Sequence, residues 1–139
     1  MAALRRVAAR PTWLLSRANA RSQELLAAAF GAERVRGHHF RLLAALEEYG
    51  PASQADLGRR TGIDRSDVVA TLNELVQRGL AQREPDLSDR RRNVVTLTKR
   101  GGDTLERLDA LLDDVQDAVL APLTSAERET LVRLLAKLA

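Results

Sequence analysis

Between Ser53 and Gly79 the sequence leaves room for only two short helices, because each candidate run is bounded by residues that a helix interior does not tolerate. Gly50-Pro51 closes whatever precedes them, since proline has no backbone N–H to donate and its ring crowds the preceding turn. Ser53 stands where its hydroxyl can accept from the first-turn backbone, with Asp56 at the positive end of the helix dipole, and this predicts a helix ending near residue 60. Thr61-Gly62-Ile63 makes a tight turn, Asp64 is placed to cap a second helix, and Gly79 ends that helix after Arg78. Two short helices joined through a glycine turn are the sequence form of a helix-turn-helix.

Two extended runs follow, 80–84 and 94–97, separated by the polar, proline-started stretch Pro85 to Arg92, which predicts a hairpin. Thr98 can cap a long helix reaching about residue 121. Pro122 and the capping-box pattern from Thr124 to Glu127 open a last one. Upstream, a helical pattern spans 12–30, Gly31 and Gly37 bracket a short connection, and a helix over 38–49 buries Phe40, Leu43 and Leu46 or their neighbours. The expected fold is therefore mainly α with a small β-hairpin wing, ordered as four helices, a hairpin and two helices. Composition agrees: hydrophobic residues make up 45% but aromatics only 3%, so the core must be packed with aliphatic side chains, as helix seams are.

Several function classes are closed off. The chain has no cysteine, which removes disulfides, thiolate metal sites and thiol switches. No stretch approaches the roughly 18 consecutive apolar residues of a membrane span, so a cytoplasmic protein without membrane contact is expected. The first 23 residues lack acids and carry Arg5, Arg6, Arg10, Arg17 and Arg21, a composition shared with organellar transit peptides. The apolar positions Leu14, Leu15 and Ala18 run on into a helix the fold can use, and this favours the folded reading. His38 and His39 are adjacent, so on a helix they point about 100° apart and cannot chelate one ion as an i, i+4 pair would. No metal and no cofactor are expected. Neither a Ser-His-Asp nor a Cys-His set is evident, no glycine-rich phosphate loop appears, and the histidines have no evident carboxylate partner, so an enzyme is not expected.

The helix from Asp64 to Arg78 has Val68, Leu72, Leu75 and Val76 on one side at helical spacing. The other side is expected to show Ser66, Asp67, Ala70, Thr71, Glu74 and Gln77. Small polar groups near the N-terminal half suit a helix pushed into a major groove: Ser66 and Thr71 can donate or accept at a base edge, and Asp67 can accept from a cytosine amino group. The same face is also what an ordinary solvated helix shows. Arg65, Ser66, Asp67 and Thr71 are the candidate contacts from this helix. The wing supplies the charge. Between Arg83 and Arg100 lie six cationic residues (Arg83, Arg90, Arg91, Arg92, Lys99, Arg100) and three acidic ones (Glu84, Asp86, Asp89). A ribbon tip bearing Arg90, Arg91 and Arg92 can enter a minor groove, where negative potential concentrates. Asp89, two residues before Arg91, is placed to orient one guanidinium by a bidentate pair.

Taken together, Ser53 to Gly101 resembles the winged helix of the MarR family of bacterial regulators. The segment Arg83-Glu84-Pro85-Asp86 through Asp89-Arg90-Arg91 is similar to that family's wing signature, and Val95-Thr96-Leu97-Thr98 then Gly101 follow as a wing returning into a long helix. The resemblance covers residues 12–138. It implies a transcriptional regulator, a ligand-responsive repressor acting as a homodimer on a pseudo-palindromic operator, with Ser66 and Asp67 toward bases in the major groove and Arg91 in the minor groove. It implies dimerisation by an N-terminal helix within 1–36 and C-terminal helices within 101–139, flanking a DNA-binding domain at 37–100. Leu105, Leu108, Leu112, Val115 and Val119 in the long helix, and Leu131, Leu134, Leu135 and Leu138 in the last, form seams for a partner helix or for the same chain. It also implies a small-molecule effector, near which His38, His39, or Trp13 and Arg17 could stand; for Trp13 helix packing is the simpler account. Three positions depart from the family pattern. Val69 and Ala70 stand where threonine and arginine are common, which removes a guanine contact at Ala70, and Leu87 replaces a common proline in the wing. A different class of function stays open beside this one, a winged-helix protein-interaction module that does not read DNA.

Overall fold

The computed structural model describes residues 4–139; the first three positions of the basic N-terminal stretch, and of the 1–36 span, lie outside the described residues. The elements are α1 (Pro11–Ala32), α2 (Gly37–Tyr49), α3 (Gln54–Thr61), α4 (Arg65–Gln77), β1 (Ala81–Pro85), β2 (Asn93–Leu97), α5 (Lys99–Val119) and α6 (Ser125–Leu138). The expected order of four helices, a hairpin and two helices is the observed one. One expectation shifts: Gly31 lies inside α1, not after it, and the connector to α2 is only residues 33–36.

The helix ends follow from local chemistry. Ser53 Oγ accepts from the Asp56 N–H at 3.2 Å, and Thr124 Oγ1 with Glu127 forms a reciprocal capping box at the start of α6. Gly62 closes α3 with φ of 69°, a left-handed conformation that would strain any residue with a Cβ, and this sets the turn into α4. Asp64 occupies the N-cap of α4 without a side-chain hydrogen bond, contrary to its expected role there.

The chain forms two compact units, Phe30–Ala110 and a second made of residues up to Ala29 with Leu111–Ala139. The borders expected at residues 36 and 100 fall inside the first unit, because Phe30, Val35, Leu105 and Leu108 are buried in it. Its core is aliphatic: Leu42, Leu43, Leu57, Leu72, Leu75, Val68, Val95 and Leu108 are fully buried. Leu43 and Leu46 are buried as expected, while Phe40 is only half-buried and stacks on Phe30 at 6.0 Å between ring centroids. The hairpin is antiparallel with Ala81 opposite Leu97 and Pro85 opposite Asn93. Ala52 adds a single bridge to Val95, exchanging both backbone hydrogen bonds, and so ties the start of α3 to the wing.

In the second unit, Arg21 donates to the carbonyls of Val119 and Ala118 at 2.9 and 3.1 Å, capping α5, and Arg128 pairs with Asp117 at 3.0 Å. The Arg17 guanidinium lies 5.9 Å from the Trp13 ring centroid, a cation–π contact that leaves the half-buried Trp13 in a packing role. α6 buries none of its residues, and Leu14, Leu15, Val132, Leu134, Leu135 and Leu138 are exposed. Among the described residues, no helix is long and apolar enough to cross a membrane.

Candidate nucleic-acid interface

α4 presents Arg65, Ser66, Asp67 and Ala70 to solvent along its N-terminal half, next to the glycine turn. One candidate is corrected: Thr71 is 1% exposed, buried with Val68, Leu72 and Leu75. Positions 68, 71, 72 and 75 follow the i, i+3, i+4, i+7 spacing of one helix face, so the period places Thr71 inward despite its hydroxyl. Thr71 therefore cannot reach a base edge. Replacing it with valine is expected to leave affinity for duplex DNA within about twofold of the original, because no groove contact is removed; fluorescence anisotropy on a labelled duplex measures this.

The wing loop is shaped by its own side chains. Asp86 Oδ1 accepts from the Ser88 N–H at 2.9 Å and from its hydroxyl at 2.7 Å, an Asx turn, and the Asp86 N–H donates to the Arg92 carbonyl across the loop. The Ser88 hydrogen bonds, with the Arg92 charge behind them, hold the Asp86 carboxyl below its ordinary value of 3.8. Asp89 does not make the expected pair with the Arg91 guanidinium. Its Oδ1 accepts from the Arg91 backbone N–H at 3.1 Å, and its one ion pair among the described residues is a long one to Arg92 Nε at 4.0 Å. The reason is local: an aspartate two residues ahead reaches a backbone amide in an Asx turn more readily than the distal end of a long side chain. Asp86 lies 3.7 Å from Arg92 as well. Arg92 is thus partly neutralised, whereas Arg90 and Arg91 are exposed and make no ion pair among the described residues.

Between α3, the start of α4 and the wing lies an open cleft of about 810 Å³. Arg59, Arg65, Arg83, Arg91 and Arg92 line it together with Ser53, Gln54 and Asn93, and among the described residues no carboxylate does. Arg83 fixes its floor, donating from β1 to Asn73 Oδ1 of α4 at 2.7 Å and to Gln54 Oε1 of α3 at 3.3 Å. Arg59 pairs with Asp56 one helical turn back. Arg59 and Arg92 have carboxylate partners nearby, but the five guanidinium groups still leave the cleft with a positive excess that suits a polyanion, and the exposed N-terminal half of α4 lies beside it. Periodicity gives no sign that Arg59 and Gln54 line this cleft, since only the tertiary fold brings α3 beside the start of α4 and the wing.

The histidines do have carboxylate partners, contrary to expectation. His39 is 3% exposed and its Nε2 lies 2.6 Å from Glu74 Oε2, while His38 Nε2 is 3.8 Å from Asp67. The Glu74 carboxylate also takes the Arg36 guanidinium on both oxygens, at 3.0 and 2.9 Å. His39 is therefore committed to the scaffold of α2 and α4.

Known proteins share this fold. Residues 35–92 match the model of the MarR family. The HTH-type transcriptional repressor NicR of Pseudomonas putida is 32% identical over 99 residues, 71% of this chain. The chain spans 63% of that repressor's length. Among solved structures, a probable transcriptional regulator from Pseudomonas aeruginosa is 35% identical, with a TM-score of 0.83 over 94% of this chain and 98% of that one. BpsR of Bordetella bronchiseptica, whose DNA binding is regulated by 6-hydroxynicotinic acid, is 28% identical, with a TM-score of 0.81 over 95% of this chain and 94% of its own.

Proposed function

This chain belongs to the MarR family, and on that footing we propose that it is a homodimeric, ligand-responsive repressor that binds a pseudo-palindromic DNA operator. The observation that carries the reading is the exposed N-terminal half of α4 beside a cleft lined by five arginines and no carboxylate among the described residues. Ser66 and Asp67, with Arg65 at the helix start, would read base edges in the major groove, and Arg90 and Arg91 would enter the flanking minor groove. Arg59, exposed beside the cleft, would meet the phosphate backbone, positioning the duplex without reading it. The protein acts by binding and not by catalysis.

Division of labour along the chain follows. Helices within residues 1–36 and 101–139 would pair two copies, and the winged helix between them would bind DNA. The exposed Leu14, Leu15, Leu134, Leu135 and Leu138 support this, since an apolar face left uncovered on helices at both chain ends marks a partner surface. A two-fold dimer sets its recognition helices about 34–36 Å apart, one duplex turn. A small-molecule effector would release DNA by binding best to a dimer whose two α4 helices are misplaced, because only differential affinity shifts such an equilibrium. That BpsR and NicR are a ligand-regulated DNA-binding protein and a repressor is consistent with this reading.

Sedimentation equilibrium tests the assembly directly. The native chain is expected to sediment as a dimer, and the Leu135→Glu/Leu138→Glu variant as a monomer that retains its helix content. Operator affinity of that variant should fall by on the order of a hundredfold or more, since each half-site is then held by one subunit alone. A native chain that is monomeric at micromolar concentration, or a variant that stays dimeric, contradicts the assembly.

A further inference from the structure

His39 joins two elements through two hydrogen bonds that only its neutral ring can make. Its Nδ1 accepts from the Arg36 backbone N–H at 2.9 Å, capping α2, so the ring proton sits on Nε2 and is donated to Glu74 Oε2 at 2.6 Å. Glu74 is the acceptor for the Arg36 side chain as well, so the α1–α2 connector, α2 and α4 meet at one carboxylate. Arg78, at the end of α4, adds bonds to the carbonyls of Arg34 and Glu33 in the same connector. The charged groups acting on the ring are Glu74 and Arg78 from α4 and Arg36 from the connector. Its neighbour His38 turns away, accepting from Arg41 at 2.8 Å and lying near Asp67. Glu74 stands seven residues after Asp67, about 10 Å along the same helix, so a shift at this anchor tilts the exposed half of α4.

We propose that His39 and Glu74 are positioning residues that set α4 for DNA, and that protonation of His39 undoes this setting and releases the duplex. An imidazolium carries N–H on both nitrogens. Its Nδ1–H would face the Arg36 N–H, donor against donor, and the cap of α2 would open. The inference rests on the reading of α4 as the DNA-contacting helix.

The direction of the titration is consistent. Burial pushes the His39 ring below its ordinary value of 6.5, aided by the Arg36 and Arg78 charges and opposed by the Glu74 carboxylate. Burial works to raise Glu74, but the His39 hydrogen bond and the Arg36 charge hold it below 4.5. In both cases the unfolded chain takes up its proton at higher pH than the folded one. The stability these two groups contribute is therefore complete above pH 6.5; the His39 part is lost as pH falls from 6.5 through its lowered folded value, and the loss from Glu74 starts only below 4.5.

The test compares the native chain with His39→Gln, His39→Asn and His38→Gln, using anisotropy on a labelled inverted-repeat duplex from about pH 8 to about pH 5. Asparagine keeps an acceptor for the Arg36 N–H and glutamine keeps a donor toward Glu74, and neither titrates. The native chain and His38→Gln should lose affinity by about tenfold per protomer for each pH unit below the folded-state value of His39. Both His39 variants should bind more weakly at neutral pH and show no such acid limb. Parallel pH curves for native and His39 variants, or an acid limb removed only by His38→Gln, overturn the proposal. A second arm needs no DNA: in the full-length protein, the Arg36 amide resonance should move at the pH where the His39 ring nitrogens titrate. An Arg36 amide unaffected by that titration overturns the positioning role. Absence of duplex binding at every pH instead overturns the DNA-binding reading.

Discussion

Gly101→Ala is expected to destabilise the protein by about 3 kcal/mol or more, lowering the melting temperature by roughly 10 °C. A Cβ at Gly101 would lie 2.0 Å from the Leu80 carbonyl oxygen and 2.8 Å from Leu97 Cδ1. The leucine side chain can rotate away, but the carbonyl cannot. Leu80 donates its N–H to the Leu75 carbonyl at 2.9 Å and accepts from the Thr98 N–H at 3.2 Å, so the backbone is held on either side of its Cα. Helix propensity pulls the other way, because alanine is favoured over glycine in a helix interior by about 1 kcal/mol, and the clash must exceed that gain to set the sign. Gly102 provides the control. Its Cβ would meet only Leu97 Cδ2 at 3.9 Å, an ordinary contact, and Gly102→Ala should stabilise by about 0.5–1 kcal/mol. Urea unfolding of both variants checks the pair. A Gly101→Ala protein as stable as the native one would mean that α5 does not approach the start of the wing this closely.

The Arg90→Ala/Arg91→Ala double variant is expected to lose duplex affinity by on the order of a hundredfold at moderate salt, with the fold unchanged. Both guanidinium groups are exposed and free of ion pairs among the described residues, so their removal costs the scaffold nothing. The slope of log affinity against log salt should also flatten by about 0.9 for each phosphate that the variant no longer neutralises, summed over both protomers. Arg92→Ala should do much less, below about fivefold, because Asp86 and Asp89 already stand 3.7 and 4.0 Å from its guanidinium. Equal losses from Arg92→Ala and from the double variant would contradict this ranking within the wing.

The fold is legible in the sequence because its punctuation is local. Ser53, Gly62, Thr124 and Glu127 mark helix ends through bonds within a few residues, and the helix borders fall within about two positions of expectation. The wing is legible for the same reason, as two short extended runs around a polar, proline-started loop. Contacts set by packing are not. His39 and Glu74 are 35 residues apart, and nothing in either segment announces the other. The close approach of Gly101 to Leu80 is equally silent, since a glycine near a helix start has several possible causes. Thr71 is misplaced when its polarity is given more weight than its period, although Val68, Leu72 and Leu75 already define the buried arc. Asp89 is matched to the wrong group when a guanidinium is preferred to the nearer backbone amide of Arg91. In each case residue type suggests a partner, and geometry selects another.

Selection of bound duplexes from a random pool decides whether this chain reads duplex DNA as a dimer. The native protein at moderate salt is predicted to enrich an inverted repeat with half-sites one duplex turn apart, about 10–10.5 base pairs centre to centre. The Arg90→Ala/Arg91→Ala variant should recover the same repeat only weakly. Enrichment of no sequence above background by the native chain would contradict DNA reading, and would point to the wing and α4 as a surface for another protein.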